Sequence, residues 1–277
     1  MNKNNQKYII TLLIICAVGL LFYFATKTEN NNQFVELPIT STDPTSNLQF
    51  SIEPTNNLET TSIPNLTQIV EVTSPQFDYS ILPNPSKYTD YDNAWIILNN
   101  NQPYFTEEEK SNVTIFEYYS PLDNLGRCGS AFASICIEIM PTESRESIGS
   151  IKPTGWHSDK YDIIDGKYLY NRCHLIGFQL AGENANKYNL ITGTRYLNIK
   201  GMLPFENMVA DAVKSENIHV LYRVTPVFRN NNLVADGVIM EGYSVEDNGE
   251  TICFCVYALN IQPSIKIDYK TGDNKLK

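Results

Sequence analysis

Three apolar, β-branched and aromatic runs near the C-terminus constrain the fold most: residues 219–228 (HVLYRVTPVF), 233–245 (LVADGVIMEGYSV) and 251–262 (TICFCVYALNIQ). Each has the length and residue types of a strand. Asn230, Asn231 and Asn232 separate the first two, and Asp247-Asn248-Gly249 the last two. Asn and Gly tolerate positive φ, so Asn-Gly between two such runs is the strongest short-range hairpin signal. Links this short join antiparallel neighbours, whereas parallel strands need a crossover of about a dozen residues. An antiparallel meander is expected, and an all-helical bundle is excluded for this part.

Upstream, Tyr168-Leu169-Tyr170 alternates into Asn171-Arg172-Cys173-His174 and reads as a strand or strand end. A loop at Gly182-Glu183-Asn184 follows. Residues 194–198 (TRYLN) can open a helix, and a second is expected over 206–215, where Pro204 is well placed in the first turn. The expected class is α+β: a central antiparallel sheet flanked by helices, within a domain spanning 83–277.

The N-terminus differs in kind. Residues 8–25 carry no charge, and as a helix would span about 27 Å, close to a bilayer's hydrocarbon core. Lys3 and Lys7 precede the run, which places residues 1–7 in the cytoplasm and the rest outside. The run ends Phe22-Tyr23-Phe24-Ala25, without the small-x-small pattern of signal cleavage. The expectation is a transmembrane helix at 8–25 and a single-pass protein of the cell membrane with its domain extracellular; secretion after signal cleavage is the alternative. Residues 26–82 are rich in Asn, Thr, Ser and Pro and lack a sustained apolar period, so they are expected to form a disordered stalk.

The formal net charge is −10 and the pI about 4.8. Residues 84–277 still hold 24 Asp/Glu against 18 Lys/Arg. That balance argues against the broad basic face that marks most nucleic-acid binders.

Of the three histidines, His219 opens an apolar strand and His157 follows Gly155-Trp156, so neither has chemically suggestive neighbours. His174 does. It sits in YNRCHLIGFQL (170–180), followed by GENANKYNLITGTRYLN (182–198) and GMLPFEN (201–207). This string resembles the DNA/RNA non-specific endonuclease family, particularly its DNA-entry nuclease branch. The signature there is Asp-Arg-Gly-His, often with Asn first, and a helix-borne Asn some two dozen residues later. The resemblance extends over residues 125–272.

What the resemblance implies is a ββα-metal nuclease fold, in which a strand–strand–helix unit holds one divalent cation, Mg²⁺ or alternatively Mn²⁺. His174 resembles the general base, since neutral imidazole accepts a proton from water near neutral pH. Asn198 resembles the direct metal ligand, its amide oxygen suiting a hard ion. Glu206 resembles the acid that orients the metal's waters. Arg172 fits a structural or phosphate-contacting role, Arg195 a phosphate clamp, and Asn189 a further active-site amide. The implied substrate is single- or double-stranded DNA, and RNA as well, because a backbone-directed site reads bases weakly. No protein partner is evident. The competing reading is an inactive, nuclease-derived surface binding module.

Two departures from the signature stand out. Asn171 takes the usual Asp position, removing a charge, and Cys173 replaces Gly, adding a thiol beside the expected base. Outside the apolar N-terminal run there are five cysteines, of which Cys128 and Cys136 are candidates for pairing. A zinc site from Cys173, His174 and Cys253 or Cys255 lacks any CxxC pair.

Overall fold

The structure, a computed structural model, describes residues 79–89 and 91–277. The expected cytoplasmic segment 1–7, the expected transmembrane helix 8–25 and the expected stalk as far as residue 78 lie outside these residues. Among the described residues, no helix is long and apolar enough to cross a membrane.

Six strands form the central sheet: β1 (Trp95–Ile97), β2 (Glu117–Tyr119), β3 (Ala131–Ile135), β6 (Val220–Val227), β7 (Gly237–Ser244) and β8 (Cys253–Leu259), in the order β1-β8-β7-β6-β3-β2. Every pairing is antiparallel, so the expected meander is present as β6-β7-β8. The β7–β8 turn follows its sequence signal: Asn248 and Gly249 hold φ of 55° and 81°. The Asp247 carboxylate accepts from the N–H groups of Gly249, Glu250 and Thr251. The β6–β7 link is longer than expected. Leu233 and Val234 give their N–H groups to the Tyr269 carbonyl instead of a sheet neighbour.

Alternation sorts these strands onto two faces. Val220, Tyr222, Val224, Met240, Phe254 and Val256 join a core with Phe205, Val209 and Val213 of the long helix α1 (Leu203–Glu216). The opposite face carries Val227, Ile239, Cys255, Tyr257 and Leu259, packed with Leu82 and Leu98. Leu82, 4% exposed, is thus part of this folded core. Burial on both faces explains why the strands read as nearly continuous apolar runs. The second face also buries Arg223, whose guanidinium binds Glu241 bidentately at 2.8 and 3.0 Å and lies 4.6 Å from the Phe105 ring centroid.

The five expected cysteines are free thiols. Cys128 donates to the carbonyls of Lys187 and Leu190 and is not paired with Cys136. Cys173 and Cys255 lie in different cores, so no zinc site joins them.

Candidate active site

The site is built on a second, two-stranded sheet. β4 (Tyr170–His174) pairs antiparallel with β5 (Leu190–Thr194), with Tyr170 opposite Thr194 and His174 opposite Leu190. The chain then runs from β5 into a π-helical turn, Leu197–Met202, and on into α1. Where two helices were expected there is one continuous helical run. Pro204 supplies a reason: it has no N–H and its ring crowds the carbonyl four residues earlier, so the regular ladder cannot pass through it. The Leu203 N–H reaches back to the Asn198 carbonyl, an i→i−5 bond that widens the helix at the candidate ligand.

A buried amide locks this unit to the main sheet. Asn260 donates to the Thr192 and Ala235 carbonyls and accepts from the Thr194 N–H at 2.8 Å. Thr194 Oγ1 in turn donates to the Ile261 carbonyl and accepts from the Leu197 N–H. The start of the helix that bears Asn198 is therefore held by packing to β8's end, through residues far away in sequence.

A cleft of about 750 Å³ gathers Arg172, His174, Arg195, Asn198 and Glu206, and adds Arg145. His174 is 6% exposed; its Nε2 lies 2.8 Å from the Asn184 carbonyl and its Nδ1 3.4 Å from Arg145 Nη2. A carbonyl only accepts, so Nε2 carries the proton and Nδ1 the lone pair. Burial, reinforced by the Arg145 charge, holds the imidazole below its ordinary pKa, against the opposing hydrogen bond to Asn184. His174 is thus neutral at pH 7.

Glu206 is 9% exposed and makes no ion pair among the described residues. Burial raises its carboxyl to about 7, a shift only partly offset by Gln179 and Arg145. Gly177 closes over it: a Cβ there would come within 2.9 Å of Glu206 Oε2. A buried carboxylate and an amide oxygen in one cleft are hard donors that fit a divalent cation such as Mg²⁺.

Asn171 links the other groups. Its Oδ1 lies 3.4 Å from Asn198 Nδ2 and 3.5 Å from Arg195 Nη1. Guanidinium only donates, so Asn171 must present oxygen, Asn198 must answer with its NH₂, and the Asn198 side-chain Oδ1 is left for another partner. Arg195 also pairs with Asp165 at 2.8 Å, while its buried Nε has no hydrogen-bond partner.

Two expected residues are bonded to the backbone here. Arg172 donates to the Ile151 carbonyl at 2.5 Å and the Gly149 carbonyl at 3.0 Å, and stacks 4.0 Å from the Trp156 ring centroid. It braces the cleft wall. Asn189 is fully buried outside the cleft lining, with both ends of its amide bonded to the backbone of Ile176. Arg145 escaped the sequence reading: it lies in a polar segment between β3 and β4 without motif or periodicity. The thiol of Cys173 is fully buried against Gly193 and pushed well up by desolvation.

A strand–strand–helix unit with a neutral histidine, an amide and a buried acid in one arginine-lined cleft defines a nuclease of the ββα type. A sequence profile of DNA/RNA non-specific endonucleases matches residues 107–246, half of the chain, and the chain belongs to that family. NucA from Streptococcus agalactiae with magnesium ion bound is similar at 31% identity and a TM-score of 0.58, over 65% of this chain and 86% of that one. The same protein with no metal bound gives 30% and 0.57, with the same coverage. The Sda1 nuclease with bound zinc ion gives 26% and 0.52, over 68% of this chain and 98% of that one. The protein is a nuclease.

Proposed function

We propose that the domain hydrolyses phosphodiester bonds of single- and double-stranded DNA, and of RNA, without sequence specificity. The observation that carries this reading is the His174 tautomer: Nε2–H bound to Asn184 leaves a neutral Nδ1 beside a cationic cleft group. Nδ1 takes a proton from water as its oxygen bonds to phosphorus; the bond from phosphorus to the 3′ oxygen breaks, and that oxygen leaves with a proton from solvent. Asn198 would hold the divalent cation through its amide oxygen, and Glu206 would orient the cation's waters. When bound, the ion supplies charge that stabilises the phosphorane and the departing oxygen. The relatives' magnesium and zinc ions support dependence on a divalent metal; hard oxygen donors favour Mg²⁺, with Mn²⁺ as a substitute.

Arg145 and Arg195, which both line the cleft, are assigned to phosphate contacts. Arg172 and Asn189 are assigned as positioning residues for the base strand and its following turn. Residues 8–25 are assigned as a membrane anchor that displays the nuclease outside the cell, on the strength of the apolar run and its flanking lysines.

The test is plasmid degradation by the full chain. Mg²⁺-dependent cleavage that chelator stops and His174→Ala abolishes is expected. Cleavage surviving His174→Ala would overturn the base assignment, and an inert wild type with Mg²⁺ and Mn²⁺ would favour a binding module. For the anchor, chains should stay with membranes through a high-salt wash; release of a shortened form points to signal cleavage.

A further inference from the structure

A second set of metal-ligating groups lies at the far end of the main sheet, and nothing in the nuclease reading uses it. Ile135 of β3 pairs with Val220 of β6, so Cys136 and His219 are the next residues outward on the two strands. Cys136 leads into a 3₁₀ turn, Ile137–Ile139, that carries Glu138. The Cys136 sulfur, a Glu138 carboxylate oxygen and an imidazole nitrogen of His219 all lie within 4.8 Å of one another. Ligands at 2.0–2.3 Å from a tetrahedral ion stand roughly 3.5 Å apart, so the trio need contract by only about 1 Å. Glu138 is exposed and hydrogen-bonded to the Cys136 thiol, and Cys136 is itself only 2% exposed.

An independent contact prepares the imidazole. Glu246 accepts the backbone N–H of His219 at 2.9 Å through Oε2, and its Oε1 lies 2.5 Å from Nδ1. A carboxylate only accepts, so Nδ1 bears a proton and Nε2 is the nitrogen left for a metal. A carboxylate bound to the distal nitrogen is how metal-binding histidines are commonly held in tautomer and orientation.

We infer that Cys136, Glu138 and His219 form a zinc site, with Glu246 as the orienting group and water as fourth ligand. Thiolate, imidazole and carboxylate together suit Zn²⁺, while Mg²⁺ prefers oxygen donors throughout. On binding, the S–H bond is replaced by S–Zn and the thiol proton passes to solvent, with no change in oxidation state. The four residues are absent from the cleft lining, so this ion is separate from the one proposed there. It would staple the end of β3 to the start of β6, where the chain departs into the segment that carries Arg145.

The full chain, stripped with chelator and reloaded with Co²⁺ as a spectroscopic stand-in for Zn²⁺, tests the site. A thiolate-to-cobalt charge-transfer band is expected, saturating at one equivalent. Cys136→Ser should remove it, His219→Ala should weaken Co²⁺ and Zn²⁺ binding about 10-fold or more, and Asn198→Ala should leave it intact. Glu138→Gln, at an exposed side chain, should weaken binding by a similar factor without disturbing the core, and serves if the cysteine variant does not fold. Absence of the band in the wild type overturns the site. So does a band that survives Cys136→Ser, or one lost with Asn198→Ala.

Discussion

Asn171 Oδ1 stands 3.4 Å from Asn198 Nδ2, and the same oxygen lies 3.5 Å from the Arg195 guanidinium. One acceptor therefore orients both the candidate metal ligand and a candidate phosphate clamp. Asn171→Leu should keep the fold and lower apparent Mg²⁺ affinity about 10- to 100-fold, the usual loss when an orienting partner is removed. Asn171→Asp keeps the acceptor, so its Mg²⁺ affinity should equal or exceed the wild type's. Metal titrations of cleavage rate distinguish the two; equal losses would show that Asn171 does not work through orientation.

Arg145 contributes charge where the phosphate is proposed to sit, and it also faces His174 Nδ1 at 3.4 Å. Arg145→Ala should cut kcat about 10²-fold, the scale of one lost electrostatic donor. Burial would still depress the histidine, but loss of the cation should move the acid limb of the pH–rate profile to higher pH. An unmoved profile with unchanged kcat would remove Arg145 from the site.

The cleft's histidine and its buried acid respond to pH in opposite ways. His174 has a lowered folded pKa, so at saturating Mg²⁺ activity should persist below pH 6.5 and fall only as pH drops through that lowered value. Glu206 has a raised folded pKa, about 7. Its contribution to metal-free stability is full below its unfolded pKa and is lost as pH rises through about 7. Glu206→Gln should therefore raise the metal-free Tm at pH 8, by at most about 3 kcal/mol of stability, and leave it unchanged at pH 4. The same substitution should abolish cleavage. Thermal melts in chelator and a plasmid assay give both readouts.

Cys173 occupies space that Gly193 leaves open: a Cβ at residue 193 would overlap its sulfur. Gly193→Ala should destabilise the domain by about 1–3 kcal/mol through overpacking. Combined with Cys173→Gly, it should recover part of that loss, giving a favourable coupling in a double-mutant cycle. The buried, undissociated thiol should also resist thiol reagents in the native state, so its position beside His174 confers no redox sensitivity.

The charge arithmetic gains a local counterpart in the cleft, where three arginines face one buried acid. Since Arg172 is committed to backbone carbonyls, about two phosphates are neutralised by side chains. Affinity for DNA should then fall about 10-fold between about 50 and 200 mM salt, far less than for proteins with many phosphate contacts. A loss of about 10³-fold or more would require a larger basic surface than the described residues present.

The amino-acid sequence by itself determined the meander, through local quantities: alternation and turn residues. The strand–strand–helix order and the candidates His174, Asn198 and Glu206 came from the resemblance of one short stretch to a known family. The sequence also carried the cue for the π-helical turn, in Pro204, although the consequence was read as two helices instead of one. Only the tertiary structure decided that Asn189 clamps Ile176, that Arg172 braces carbonyls, and that Arg145 enters the cleft. Only it set Asn171 against both Asn198 and Arg195, and Glu246 behind His219. A side chain's partner is chosen by long-range packing, here through Asn260 and the two sheet faces, and residue spacing holds no record of which distant carbonyl or ring will be within reach.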